Sequence, residues 1–210
     1  CANGHHSVPP KPVPCCGRFS DTGAAVGIQV VASRVHTGIA KDNRMHKPLS
    51  RAKQVVGLIG WLLLSFIAAG IGGLASMQAA SFYQQLAQPS WAPPSAVFGP
   101  VWTLLYALMG IAAWLVWRQG GWRQQRGTLI LFMAQLALNA LWSWLFFGWH
   151  QGALAFADIV VLWLLITATL VCFWRVRPLA GAWLVPYLCW VSFAAVLNFA
   201  VWHLNPQILG

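Results

Sequence analysis

The sequence predicts an all-α membrane protein in which a bundle of five transmembrane helices crosses the bilayer. Three observations lead to this class: the mean hydropathy is +0.63, only 8% of the 210 residues are charged, and five long hydrophobic runs follow residue 54. A soluble domain carries about 25% charged residues, so this chain has too few charges to cover a surface that faces water. Lipid is therefore the expected solvent for most of the chain.

Each hydrophobic run reaches the ~20 apolar residues that a helix needs to cross about 30 Å of hydrocarbon. The runs cover residues 55–77, 98–117, 128–148, 153–174 and 182–202. All connections except residues 78–97 are short, and short connections make neighbouring helices antiparallel. The predicted five-helix domain covers residues 55–205.

Residues 1–54 differ in composition, being rich in Pro, His, Gly and basic residues without a sustained helical period. We expect a poorly structured basic N-terminal extension. One interpretation is an over-extended gene model in which Met45 is the natural start. The alternative is a metal site, although its four candidate ligands match no ordered metal-site spacing: His5, His6, Cys15 and Cys16.

The basic residues alternate between the connections. Arginines occur in residues 118–127 and 175–181, whereas residues 78–97, residues 149–152 and the C-terminal tail have neither Lys nor Arg. Because basic connections stay on the cytoplasmic side, this pattern predicts a cytoplasmic N-terminus, with the C-terminus and residues 78–97 on the outer face. The net charge of +10 would suggest a nucleic-acid partner for a soluble protein, but no nucleic-acid-binding motif is present, and we expect none.

The first run carries small residues at four-residue spacing, Ala68 with Gly72 and Ala69 with Gly73. Small residues allow helix backbones to approach closely in membranes, so this pattern predicts helix packing.

A proline-rich stretch precedes the second run. Four prolines between residues 89 and 100 cannot form regular helix, although Pro100 fits the first turn of the helix that follows. Trp91, Trp102 and Tyr106 extend from this loop into the helix. We interpret the stretch as the lid and wall of a ligand site.

Three runs place aromatic and polar residues on one helical face, because residues three and four apart are neighbours. The second run gives Trp102, Tyr106 and Met109, the third gives Gln135, Asn139, Trp142 and Phe146, and the fifth gives Pro186, Trp190, Phe193, Ala194 and Leu197. Polar residues in hydrocarbon should point inward. Asn139 and Gln135 then either join helices by hydrogen bonds or face a pocket, and Asn198 is a further residue that could join helices.

The chain contains 14 tryptophans. Those near run ends fit an interfacial aromatic belt: Trp61, Trp117, Trp122, Trp149, Trp174, Trp183 and Trp202. Those deeper in the runs need either a partner for the indole N–H or a cavity: Trp102, Trp114, Trp142, Trp144, Trp163 and Trp190.

No Ser-His-Asp set, glycine-rich phosphate loop or pair of carboxylates appears in the hydrophobic region. Asp158 is the only acid after residue 54. It is either a functional intramembrane acid or a structural group near a helix N-terminus.

Several stretches together resemble the tryptophan-rich sensory protein / translocator protein family (TspO/MBR, peripheral benzodiazepine receptor-like). They are Pro-Ser-Trp-Ala-Pro-Pro (89–94), Phe-Gly-Pro-Val-Trp-Thr-Leu-Leu-Tyr-Ala-Leu-Met-Gly (98–110), Gln-Leu-Ala-Leu-Asn-Ala-Leu-Trp-Ser (135–143), Phe-Phe-Gly (146–148), Ala-Asp (157–158) and Val-Pro-Tyr-Leu-Cys-Trp-Val-Ser-Phe-Ala-Ala-Val-Leu-Asn (185–198). The resemblance covers about residues 55–205.

This resemblance implies a multi-pass protein of a bacterial-type envelope membrane, usually a homodimer, that binds porphyrins such as protoporphyrin IX and other hydrophobic ligands without a required cofactor or metal. The ligand-binding residues it implies are Trp91, Trp102, Tyr106, Asn139, Trp142, Trp190, Phe193, Ala194 and Leu197. In some bacterial members, tryptophans matching Trp102 and Trp190 are implicated in porphyrin breakdown by light and oxygen. The family's cholesterol motif pairs Tyr with Arg where this chain has Phe199 and His203, so we expect no strong cholesterol binding.

The leading hypothesis is accordingly a receptor, sensor or transport protein that holds a porphyrin in a tryptophan-lined pocket. The second is a light- and oxygen-dependent porphyrin-degrading enzyme with the same pocket. The third is a structural partner whose tryptophans only pack.

Overall fold

The computed structural model describes residues 50–210, in which helices account for the secondary structure and no strand occurs. The predicted basic extension up to residue 49, with Met45 and the four candidate metal ligands, lies outside the described residues. The α-helices are α1 Arg51–Ala75, α2 Ala79–Gln85, α3 Phe98–Trp117, α4 Gly121–Ser143, α5 Gly152–Val176, α6 Pro178–Ala182, α7 Val185–Leu204 and α8 Pro206–Leu209.

Five helical segments within the described residues are long and apolar enough to cross a membrane, which confirms the predicted five-helix class. They contain α1, α3, α4, α5 and α7. The helix α3 matches the predicted residues 98–117, whereas other helices extend beyond their hydrophobic runs. α1 begins at Arg51 rather than residue 55, because Ser50 caps it by accepting a hydrogen bond from the Lys53 N–H at 3.4 Å.

α4 likewise begins well before residue 128, and its opening turns are polar and carry Arg123 and Arg126. Gln125 interrupts the helical geometry there (φ −106°, ψ 16°). At its other end α4 continues into a π-helical turn, Trp144–Gly148. Helices therefore run past the apolar boundary at both sides of this span.

The connection 78–97 is not only a proline-rich loop, because it contains α2 and a 3₁₀ turn, Ser95–Val97. Tyr83 and Leu86 of this connection are buried. Pro100 lies in the first turn of α3, as expected for a residue without an N–H.

The two ends of the bundle differ in charge. One end, called the basic end here, carries the described Lys and Arg residues: Arg51, Lys53, Arg118, Arg123, Arg126, Arg175 and Arg177. The opposite end, called the uncharged end, carries α2, the connection before α3 and the last turn of α7.

Close packing joins α1 to α3 near the basic end. The Trp114 indole N–H donates to the Gln54 carbonyl at 2.8 Å. A side chain on Gly57 would collide with the Trp117 ring. A Cβ on Gly110 would lie 3.1 Å from the Leu62 Cα. Glycine is therefore required where these backbones approach each other.

We predict that Gly110→Val lowers the free energy of unfolding by about 1–3 kcal/mol, because the added side chain must separate α1 from α3. Gly60→Val is the control, since a Cβ there has no atom within 4 Å. Thermal unfolding in detergent, followed by circular dichroism, compares the two. Equal midpoints for both variants would contradict the close approach.

Candidate functional site

A cavity of about 390 Å³ lies towards the uncharged end, between α1, α2, α3, α4 and α7. Its size is within the range of small-molecule sites. Seven of the residues predicted for ligand binding line it: Trp102, Tyr106, Asn139, Trp142, Trp190, Ala194 and Leu197.

The floor of the cavity is a buried hydrogen-bond chain through Asn139. The Tyr106 hydroxyl donates to Asn139 Oδ1 at 2.5 Å, and Asn139 Nδ2 donates to the Tyr187 hydroxyl at 2.7 Å. The Trp102 ring packs on Tyr106, with 5.8 Å between centroids. Asn139 therefore has both of the alternative roles considered in the sequence analysis, because it joins helices and also faces the pocket.

A second polar contact joins α4, α7 and the start of α5. The Trp142 indole N–H donates to Asn198 Oδ1 at 3.0 Å, and Asn198 Nδ2 donates to the Gly152 carbonyl at 3.4 Å. Both side chains line the cavity. The Trp142 ring is consequently held in a fixed orientation by a bond at its edge, while its face stacks on Phe146 at 5.3 Å.

Trp91 and Phe193 lie outside the cavity lining, in contrast to their predicted positions. Trp91 is 47% exposed and packs edge-on against Phe193 at 5.9 Å, and Phe193 in turn contacts Trp190 at 5.5 Å. They support the wall from behind Trp190. Helical spacing groups Phe193 with Ala194 on one broad face, but only the Ala194 side of that face reaches the cavity.

The cover of the cavity is α2 rather than Trp91. Ala79, Ala80 and Tyr83 of α2 line the cavity at the uncharged end. Phe82 stacks on His150 with centroids 4.2 Å apart, and His150 has the left-handed φ of 55°. No signal of helical spacing identified these residues, because α2 is short and lies between two spans.

Asn205 fastens the chain that follows α2. Its Oδ1 accepts from the Ala87 N–H at 2.8 Å, and its Nδ2 donates to the carbonyls of Ala87 at 2.9 Å and Val201 at 2.8 Å. The side chain is buried, so these bonds are shielded from water. Sequence reasoning missed Asn205, and its only signal was an amide directly after an apolar helix.

α1 forms a wall that the sequence also did not predict as part of the site. Phe66, Ala69, Gly72, Gly73 and Ser76 all line the cavity. Gly72 does pack closely, since a Cβ there would lie 3.0 Å from Ser143 Oγ, whereas a Cβ on Gly73 has no atom within 4 Å. The small-residue pattern therefore has two uses, one for packing and one for open space.

The cavity lining contains no charged side chain. Among the described residues, the buried Tyr83 hydroxyl and the buried Trp190 indole N–H lack a hydrogen-bond partner. Burial raises the pKa of Tyr83, which keeps its hydroxyl a neutral donor. A polar atom of a ligand is a suitable partner for such groups, because unpaired buried donors are rare.

The remaining deep tryptophans have partners elsewhere in the bundle. Trp144 donates to the Ile71 carbonyl at 3.1 Å, and Trp163 donates to Ser192 Oγ at 2.8 Å. Trp61, predicted for the interfacial belt, is instead buried against Phe132 at 5.9 Å, because α1 begins earlier and places it further from the helix end.

Several residues that the sequence analysis considered do not line the cavity. Asp158 lies in the second turn of α5, outside the cavity lining, and its Oδ2 is buried without a hydrogen-bond partner among the described residues. Phe199 and His203 are exposed on α7 and contact each other at 4.2 Å. Gln135 is buried below the cavity, where its Nε2 donates only to the Met109 sulfur at 3.9 Å.

The fold and the site together define the class of protein, which is an integral, multi-pass membrane protein with an aromatic-lined cavity between its helices. Residues 61–203 match the TspO/MBR family, and the chain belongs to that family.

Relatives from a bacterium, an archaeon and a human are similar to this chain. The chain is 46% identical over 127 residues to "Tryptophan-rich protein TspO" of Chlorobaculum tepidum, covering 60% of this chain and 80% of that one. It is 42% identical over 126 residues to the human "Translocator protein", covering 59% and 75%. It is 37% identical over 145 residues to "Tryptophan-rich protein TspO" of Archaeoglobus fulgidus, covering 68% and 94%.

We predict that Asn139→Leu lowers the free energy of unfolding by about 2 kcal/mol, because it leaves the buried Tyr106 and Tyr187 hydroxyls without their shared partner. Gln135→Met is the matched control one turn away. It removes an amide whose Oε1 has no partner, so stability should be unchanged or increased. Thermal unfolding measures both, and a Gln135→Met loss as large as that of Asn139→Leu would refute the distinction.

Proposed function

We propose that this protein binds a porphyrin, or a related flat hydrophobic ligand, in the cavity and acts as a receptor, sensor or transport protein. The observation that carries the proposal is the cavity wall, in which the indoles of Trp102, Trp142 and Trp190 surround uncharged space. Flat aromatic rings suit a flat conjugated ligand, because offset stacking adds to the burial of apolar surface.

The arrangement of polarity supports a ligand of mixed character. The uncharged lining suits a macrocycle and excludes a buried carboxylate without a partner. The carboxylates of a porphyrin would therefore remain outside this lining, at the level of the headgroups. Tyr83 and Trp190 supply the two unpaired donors near the bound ring.

The names of the relatives fit this class without fixing the ligand. They include a "Translocator protein" in humans and a "Tryptophan-rich sensory protein" in Cereibacter sphaeroides. A role in regulation or transport for this chain follows by analogy with those names. By the distribution of basic residues, the basic end belongs in the cytoplasm and the cavity lies towards the outer face.

Titration of the detergent-solubilised protein with protoporphyrin IX, followed by tryptophan fluorescence, tests the proposal. We predict that Trp102→Ala weakens binding at least about tenfold, or ~1.4 kcal/mol, because it removes one wall of the cavity. Trp122→Ala is the control, since Trp122 is 42% exposed on α4 and does not line the cavity. Unchanged fluorescence of the unmodified protein would leave only the structural hypothesis, and equal losses would mean that the ligand binds elsewhere.

The second candidate function, porphyrin breakdown by light and molecular oxygen, is favoured by one observation. Trp102 and Trp190, both oxidisable indoles, lie on the cavity wall where they would contact a bound ring. This reaction requires no acid–base pair from the protein.

We predict that, if this second function operates, the porphyrin bleaches faster under illumination in the aerobic wild-type complex than in the Trp190→Phe complex at equal occupancy. Absorbance of the porphyrin band gives both rates. Equal rates in the two complexes would assign the protein to binding alone.

A further inference from the structure

The cavity has one side whose lining residues are exposed on the surface of the bundle. Phe66 and Gly73 of α1 and Gly99 and Thr103 of α3 are exposed and line the cavity. On each of the two helices, these exposed residues lie beside other cavity-lining residues that are more buried. The exposed residues flank an opening between α1 and α3, called the portal here.

The portal continues the packed interface of α1 and α3. Near the basic end this antiparallel pair is in contact from Gln54 with Trp114 to Leu62 with Gly110. Extending the same register towards the uncharged end brings Ala69 opposite Thr103 and Gly73 opposite Gly99. A Cβ on Gly73 or on Gly99 has no atom within 4 Å, so small residues here leave a gap instead of a contact.

The edges of the portal suit hydrocarbon. The Thr103 hydroxyl donates to the Gly99 carbonyl at 2.9 Å, and the Ser76 hydroxyl donates to the Gly72 carbonyl at 3.0 Å. These hydroxyls are therefore satisfied within their own helices, as lipid contact requires. The portal residues lie within two of the segments that are long and apolar enough to span a membrane, so we expect the opening to face lipid.

The remaining sides of the cavity are covered, and Ala80 of α2 is the one further lining residue that is exposed. The uncharged end is covered by α2, whose Phe82 packs on Phe146 and His150, and the chain after α2 is fastened by Asn205. On the α4 and α7 walls the lining residues are buried or half-buried. A ligand that enters from water must break these contacts, whereas one that enters through the portal need not.

We propose that the portal is the entrance of the site and that the ligand arrives dissolved in the lipid, passing sideways between α1 and α3. The inference rests on the proposed binding function and adds the route and the ligand's source. The substrate class is a hydrophobic molecule that partitions into the outer part of the bilayer, with any charged group kept at the headgroup level. α2 with its Asn205 tether is a permanent cover, not a lid that opens in each cycle.

The first test narrows the portal. The full chain in phosphatidylcholine vesicles is mixed with protoporphyrin IX, and quenching of tryptophan fluorescence gives the association and dissociation rates. Gly73→Leu combined with Gly99→Leu should lower both rates about tenfold while the dissociation constant changes much less. Gly70→Leu is the control, because Gly70 is exposed on the same helix, has open space around a Cβ, and does not line the cavity.

Rates distinguish an obstructed entrance from a damaged site. A smaller site raises the dissociation rate and weakens affinity, whereas a narrowed entrance slows both directions together. Wild-type rates in the double variant, or faster dissociation in it, would overturn the proposal.

The second test separates the lipid route from the aqueous route. At fixed total porphyrin, added protein-free vesicles should change the association rate in proportion to the porphyrin's mole fraction in lipid. Asn205→Ala, which releases the cover, should leave the association rate within about twofold of the wild type. An increase of tenfold in that variant, with no effect of the portal substitutions, would place the entrance under α2. Absence of quenching in the unmodified protein would instead refute the binding function itself.

Discussion

Three helices of the bundle are held in register by the side-chain amide of Asn139. Its oxygen accepts from Tyr106 on α3 and its nitrogen donates to Tyr187 on α7, while Asn139 itself belongs to α4. Lipid offers no competing water, so a lost partner at this depth leaves a buried polar group unpaired. This hydrogen-bond chain sets the depth of the cavity floor, and the indoles of Trp102 and Trp142 stand above it on the same helices.

α1 is joined to the bundle by a different kind of interaction. The carbonyls of Gln54 and Ile71 accept hydrogen bonds from tryptophans, and shape complementarity holds α1 against α3 and α4. Glycines bring the backbones together near the basic end, and glycines without neighbours leave space near the uncharged end. Glycine thus produces both close contact and open space between α1 and α3. The result depends on whether the facing helix places a side chain next to the glycine.

Hydropathy and helical spacing were sufficient to predict the spans and most of the cavity wall. An amide such as Asn139 in an apolar run has to point inward, and Trp102 and Tyr106 share one face of α3. Hydropathy placed the start of α1 too late because charged first turns are helical outside the hydrocarbon. Helical spacing assigned Phe193 to the site because spacing identifies the residues that share a helical face. It does not show how much of that face borders the cavity. The pairing of Asn205 with Ala87 joins residues far apart in the chain, so no local pattern could indicate it.

The two boundaries of the cavity reflect the solvents that they meet. At the water-facing end, apolar contacts alone would leave the polar backbone groups of the connection after α2 bonded only to water. The buried Asn205 amide instead forms hydrogen bonds with that backbone. At the lipid-facing side, no hydrogen bond is needed to keep a gap open, because lipid chains solvate apolar edges as well as another helix does. A polar tether at one boundary and missing side chains at the other give a site that is shielded from water and continuous with the membrane.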